Sequence, residues 1–503
     1  AASPTAPMPT AALDCLQRQL GEFEGLTTLL AEGRPHVSVR ARELAASLAP
    51  VDACAQPSLG RPSMPTAGEE RVVALDLRAR LDRARMLREA GDIDDAGTLI
   101  EQTLHAAERA DAVTYAAALL QHGHFQKDAL RPKAAEQDFR EVWRRAEHLG
   151  EDGLAIDAVV SLSTATLDTP GRVVQGLDLL DIADAKIARH GGDRRRTLNS
   201  TIQRATLLHR QGSLDEALAQ AEHSVALAEA LYGQGAPQLA IPLGALALTQ
   251  TAAGHYDACM ASTRRALDIA VLHFGKAAPI TAVTTQNLGA ISSSLGKYRQ
   301  AIVLYGEALE LLRRLHGDPS EPVAMVLSNI GAAELSLGRI EAALVSSRAA
   351  RDAYLHSVGP DYIGIGYTHS NLATVMRERG YMSETKAARA ESIRVWTHAL
   401  SADHPLLRGA RIGQAVDDAI FTPSVSTFDV LSRRLLPSLD DDAIDPATRA
   451  DGAFMLAVHL AKAQPARARR LLERARRLGT PRVLANIEAW ERSQLQPLGV
   501  VPG

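Results

Sequence analysis

Three asparagines recur at one interval: Asn287, Asn329 and Asn371 stand 42 residues apart. A primary amide both donates and accepts, so a row of them can hold an extended polypeptide by its backbone without reading its side chains. Toward the N-terminus the same interval meets Gln203, which keeps an amide, and Ala245, which does not, so the row weakens in that direction. Beside it the sequence offers Gln286, Ser293, Met325, Ser328, Tyr367, Ser370 and Arg377, a polar and adaptable set with one cation. That mixture suits an extended peptide or a partner helix better than a phosphate-bearing ligand. It also lacks the Lys/Arg-rich clamp that seizes a C-terminal carboxylate. The competing reading is that each amide bonds a neighbouring helix or loop.

No other constellation carries chemistry. There is no glycine-rich phosphate loop followed by a strand lysine, and no HRD or DFG motif. Gly289 to Gly296-Lys297 has the wrong spacing for a P-loop. HExxH, GxSxG and paired CxxC motifs are absent. His122 and His124, in QHGHF, have no Cys, Asp or Glu at ligand spacing and read as a solvated turn. In the arginine-rich run from Ala466 to Arg482, Leu471, Leu472, Ala475 and Leu478 form one stripe, leaving the arginines on a solvated face. The net charge of −4 and an aromatic content of 4% argue against a nucleic-acid surface. No apolar run reaches the ~18–20 residues that span a bilayer, and the opening AASPTAPMPTAA lacks the basic region and apolar core of a signal peptide. The expectation is a chain without catalytic residues, metal or cofactor, with an enzyme of unfamiliar site as the remote alternative.

The asparagines belong to a longer periodicity that names the elements holding them. Segments starting at Gln203, Ala245, Asn287, Asn329 and Asn371 each place a glycine nine residues on, at Gly212, Gly254, Gly296, Gly338 and Gly380. Two further on stand Leu214, Tyr256, Tyr298, Ile340 and Met382. Self-similarity at this period marks stacked supersecondary units, none able to bury its apolar face alone. In the clearest copy Leu288, Ile291 and Leu295 share a helical face that halts at Gly296. A second amphipathic run follows through Tyr298, Ala301, Ile302, Tyr305, Ala308, Leu309 and Leu312 to Gly317, before Asp318, Pro319 and Pro322 break the chain. Ala301 and Ala308 are small because paired helices approach closely where they cross. Each unit is predicted to be an antiparallel helical hairpin whose first helix lines the concave side. At 503 residues the chain exceeds one compact core, a limit that a linearly growing stack evades.

The pattern resembles the tetratricopeptide repeat in its long, 42-residue form, as in kinesin light chain, on Leu288, Gly289, Gly296, Tyr298, Ala301, Tyr305 and Ala308. The resemblance implies an all-α, right-handed superhelical solenoid of antiparallel hairpins that binds protein or peptide. It also implies that Asn287, Asn329 and Asn371 contact such a ligand, as matching asparagines do in related long-form repeats. Cys259 and Thr385 take the small-residue place held elsewhere by Ala217, Ala301 and Ala343, which predicts looser packing in those copies. The expected organisation is a flexible linker at 1–10, then a helical hairpin and loop at 11–68. Irregular hairpins follow at 69–193, the regular array at 194–404, and degenerate repeats with a terminal cap at 405–503, whose last helix lies near 481–493.

The segments CLQRQLGEFEGLTTLLAEGRPHVSVRARELAASLAPVDACAQP and LAKAQPARARRLLERARRLGTPRVLANIEAWERSQ also resemble the two ends of the C-terminal arrays of certain bacterial serine/threonine kinases with one transmembrane helix. That implies the sensory or docking region of such a kinase on the extracytoplasmic side, signalling through ligand binding or self-association, with no membrane segment in this chain. The alternative is a stand-alone cytosolic adaptor. Cys15 and Cys54 flank the first hairpin, where a bridge is geometrically possible and worth ~4 kcal/mol by loop entropy. Two unrelated thiols are the other reading, and the extracytoplasmic location favours the bridge. Cys259 reads as an inert buried thiol.

Overall fold

The structure, a computed structural model, describes residues 10–48, 63, 65, 68–129, 131–165, 172–400, 402–441 and 444–495. Among the described residues there are 24 α-helices and no strand. The chain is an all-α solenoid of antiparallel hairpins. It divides into two compact units, residues 1–284 and 285–503.

The first unit opens with α1 (Thr10–Ala31), α2 (Pro35–Val39) and α3 (Ala41–Ser47). Five hairpins follow: α4 (Gly68–Ala90) with α5 (Ile93–Ala107), α6 (Ala112–Asp128) with α7 (Pro132–Leu149), α8 (Asp152–Ala165) with α9 (Val173–Arg189), α10 (Arg194–Gln211) with α11 (Leu214–Tyr232), and α12 (Ala240–Ala252) with α13 (Tyr256–Phe274). The unit boundary falls inside α14 (Pro279–Ser294). The second unit continues with α15 (Tyr298–His316), then α16 (Glu321–Ser336) with α17 (Ile340–Ser357), α18 (Ile363–Glu378) with α19 (Met382–Ala399), α20 (Pro405–Phe421) with α21 (Val425–Leu435), and α22 (Pro446–Leu460) with α23 (Pro465–Leu478). A single helix, α24 (Pro481–Leu495), ends the described chain.

The periodicity read from sequence is the periodicity of the helices. Second helices begin at Leu214, Tyr256, Tyr298, Ile340 and Met382, and the five turn glycines before them all have positive φ. First helices begin at 279, 321, 363 and 405, so the register runs one hairpin beyond 404. The two ends of α11 show why glycine is needed twice per unit. Gly212, in the tight turn before it, is left-handed (φ 89°, ψ 6°). Gly233, after it, sits at φ 91°, ψ 156°, a region essentially closed to any residue with a Cβ.

Within a hairpin the crossing is close. A Cβ at Gly289 would lie 2.8 Å from the Tyr305 ring, and Ala301 and Ala308 are fully buried beside it. Cys259 and Thr385, where looser packing was expected, are both fully buried. Cys259 Sγ donates to the Ala247 carbonyl at 3.1 Å and Thr385 Oγ1 to the Tyr381 carbonyl at 2.7 Å. Each polar atom is satisfied by backbone, so the slot accepts a slightly more polar side chain without leaving a buried group unpaired.

Two further expectations are corrected. QHGHF is not a solvated turn: it lies inside α6, where Gly123 lets the Phe139 ring approach to 2.6 Å of where a Cβ would stand. His124 packs edge-on against that ring, and burial pushes its pKa down to about 3, with the Arg88 and Lys127 charges adding to the shift. His122 Nδ1 lies 2.8 Å from the Asp138 carboxylate. The N-terminal helices also do more than form a hairpin. Glu43 of α3 accepts from the Ile280 N–H at 3.0 Å, and Gln238 Nε2 donates to the Ala46 carbonyl at 3.0 Å. The Cys15–Cys54 pairing lies outside the described residues.

Candidate functional site

Asn287, Asn329 and Asn371 each occupy the ninth position of their helix, α14, α16 and α18. In the second unit first helices approach one another, α16 against α18 and α20 against α22, more closely than second helices do. A stack that is tighter on one side bends toward that side, so the first helices present an inner face. On α16 that face is Met325, Asn329, Ala332 and Ser336, and on α18 it is Tyr367, Asn371, Thr374 and Glu378, an i, i+4, i+7, i+11 series none of whose members is buried. Asn287 is exposed, and Asn329 and Asn371 are half-buried.

The three amides are not equivalent. Asn371 Nδ2 donates to the Ser328 carbonyl at 3.2 Å and so ties α18 to α16, as the competing structural reading expected. The side chains of Asn287 and Asn329 make no hydrogen bond among the described residues. Gln286 Nε2 lies 3.4 Å from the Met325 sulfur. Tyr367 is exposed, with its ring edge-on to Trp396 at 5.2 Å. The face therefore offers two open amides between apolar groups (Met325, Tyr367) and small ones (Ala290, Ala332).

The other expected residues stand elsewhere. Ser328 is buried, its hydroxyl accepting from Thr368 Oγ1 at 3.0 Å. Ser370 Oγ accepts from Arg389 Nη1 at 2.9 Å. Arg377 does not join the open face. It is buried, 3.3 Å from one oxygen of Asp417 and bonded to Asp451. Burial opposes its charge, but Asp451 and Asp417 together hold its pKa above the ordinary arginine value. A guanidinium so enclosed is compensated within the fold and is not available to a ligand.

Around Arg377 lies a network that sequence reasoning missed. Arg389 Nε meets the second oxygen of Asp417 at 2.9 Å, Arg482 of α24 meets Asp451 at 2.9 Å, and Arg482 also reaches Glu378. The Asp451 carboxyl is held below the usual range: burial pushes it up, and Arg482 and Arg377 outweigh that. In α20 the asparagine place is Gly413, whose missing Cβ leaves room for the Arg389 guanidinium, 2.9 Å from where a Cβ would stand. The row ends there because Arg389 fills the next rung. A signal was present: Arg389 stands two periods after Tyr305, in a packing slot where no charge belongs without a partner. Among the described residues no group of three His, Cys, Asp or Glu could hold a metal ion, and no helix is long and apolar enough to cross a membrane.

Comparison with known proteins agrees with this architecture. A tetratricopeptide-repeat family profile matches residues 193–271 and 280–356. A search of curated proteins returned no match. Among solved structures, a Rap protein complexed with competence and sporulation factor is similar at 14% identity and a TM-score of 0.53, covering 80% of this chain and 99% of that one. The STAND protein with a tetratricopeptide repeat sensor from Pyrococcus horikoshii is similar at 13% identity and a TM-score of 0.50, covering 74% of this chain and 52% of that one. BtubC from P. vanneervenii is 21% identical over 48% of this chain and 92% of its own, with a TM-score of 0.36. At these identities the likeness is one of fold. Over residues 193–271 and 280–356 the chain carries tetratricopeptide repeats.

Proposed function

We propose that the chain is a non-catalytic docking scaffold whose second unit holds an unstructured protein segment on its inner face. Asn287 and Asn329 grip the segment's backbone, and Met325 and Tyr367 receive its apolar side chains. The observation that carries this is the pair of amides, one period apart, that face solvent with no hydrogen bond among the described residues. Asn371 shares its amide between ligand and the Ser328 carbonyl. The fold likeness to a Rap protein solved with competence and sporulation factor supports a peptide-sized occupant. The test is capture of fluorescent unstructured peptides by the full chain against the Asn287→Ala/Asn329→Ala/Asn371→Ala variant. Undiminished capture by the triple variant returns the asparagines to a structural role.

We propose further that this scaffold is the sensory or docking region of a membrane-attached bacterial serine/threonine kinase, on the extracytoplasmic side. The support is the resemblance of its terminal segments alone. A gene without kinase and membrane-helix codons would remove this reading in favour of a cytosolic adaptor. Thiol titration of Cys15 and Cys54 without reductant bears on the same choice, with free thiols in the secreted form pointing to the cytosol.

A further inference from the structure

The last described helix does more than cover the end of the stack. Besides its neighbour α23, α24 packs against α16 and α22, the first helices of hairpins three apart in the stack. Its Arg482 bonds Glu378 at the end of α18 and, at 2.9 Å, Asp451 of α22. A helix that meets the first helices of three hairpins lies on the inner side, the side on which the asparagine row stands.

Its apolar hold there is small, and the Arg482 ion pairs carry the rest. Of its described residues only Arg482, Val483 and Ile487 are buried, where α16 buries nine. Trp490 adds an edge contact to the Phe454 ring at 6.3 Å. Gly479, extended at φ −72°, ψ 139°, and Thr480 are the whole link to α23, so α24 can leave without unwinding its neighbour. Val483 and Ile487 complete one edge of the core in which Leu456, Leu471, Leu472 and Ala475 are buried, while the pairing of α22 with α23 does not run through α24. Elements with few buried apolar contacts open before the body they rest on.

We infer that α24 is a releasable internal occupant of the second unit's inner face, an autoinhibitory contact that a partner segment must displace. Seated, its Arg482 neutralises Glu378 and Asp451. Released, it leaves both carboxylates to Arg377 alone and frees the part of α16 that it touches. The inference rests on the inner face being the docking face, but not on its asparagines. A binding partner and α24 then compete for one surface, and anything that loosens α24 strengthens the partner by the same factor.

The probe is a fluorescent synthetic peptide of residues 481–495, titrated against the full chain and its Arg482→Ala, Arg482→Lys and Ile487→Asp variants, with amide hydrogen exchange read in parallel. Exchange at α24 should rise in Arg482→Ala and Ile487→Asp while α22 stays protected. Those variants should bind the probe at least about tenfold more tightly than the wild type, with Arg482→Lys in between, as a loosened occupant yields its seat. Exchange from α24 as slow as from α16 and α22 in every variant would overturn the inference. So would a loosened α24 with no gain in probe binding. Should Ile487→Asp fail to fold, Arg482→Ala carries the readout. The probe reads the seat through Arg482 and Ile487, whereas peptide capture reads the asparagines of the same face, so a negative result here and one with the triple asparagine variant remain distinguishable.

Discussion

The two glycines that bracket α11 make opposite predictions for one substitution. Nothing stands within 4 Å of a Cβ at Gly212 or at Gly233, so a change at either acts through the backbone alone. Gly212 is left-handed, a conformation that costs an ordinary L-residue roughly 1–2 kcal/mol and asparagine less. Losing glycine also restricts the unfolded chain, which returns about 0.4–1 kcal/mol. Gly212→Asn should therefore be nearly neutral. Gly233, at φ 91°, ψ 156°, has no such tolerance, and strain of up to about 3 kcal/mol less the same return leaves a net loss near 2 kcal/mol. Because the chain has two units, a single melting midpoint is the wrong readout. Hydrogen exchange at α11 and α12 amides is the right one, and about 2 kcal/mol is roughly a thirtyfold rise in local opening for Gly233→Asn. Equal effects at the two sites would refute the claim that the repeat uses two different glycine conformations.

Three other outcomes are expected. Asp417→Asn leaves Arg377 and Arg389 buried against one fewer carboxylate, and should destabilise the second unit by about 3–5 kcal/mol in urea unfolding. Gly289→Ala should cost about 1–3 kcal/mol by pushing on the Tyr305 ring, and the cost should shrink in a Tyr305→Leu background. His124, held neutral in the fold with a pKa of about 3 against an ordinary 6.5, makes the first unit acid-sensitive. Between those values the unfolded chain binds a proton that the fold refuses, so stability falls with pH by up to about 1.4 kcal/mol per unit. His124→Leu should reduce the part of that loss that begins near pH 6.5, to which His209, also depressed by burial, contributes as well. A further loss should begin near pH 4.5, where the unfolded chain protonates Glu136 while Arg172 and then Arg140 hold the folded carboxyl down to about 2.

What the sequence disclosed and what it hid follow from the range of the interactions. Helix starts at Tyr298 and Ile340, and the turns at Gly296 and Gly338, depend on φ preference and apolar spacing within a few residues, so a 42-residue repeat displays them openly. The ninth-position asparagines were legible for the same reason. Arg377 was not: a long side chain near a helix end can point outward or under a neighbour, and its partners Asp417 and Asp451 lie 40 and 74 residues away. Gly123 misled because glycine serves both as a helix stop and as a gap beneath an aromatic ring, and only the position of Phe139 decides between them. The amphipathic pattern of α24 announced a helix, but which face of the stack would cover Val483 and Ile487 was a tertiary matter.

Backbone recognition by the inner face is tested most directly by N-methylation, one amide at a time, of any peptide that the full chain captures. A side-chain alanine scan of the same peptide runs beside it. Gripping by Asn287 and Asn329 predicts that methylation at one or two amides abolishes binding, and that Asn329→Ala erases this sensitivity while most alanine replacements are tolerated. Binding indifferent to every methyl group, and lost instead on changing single side chains, would contradict it.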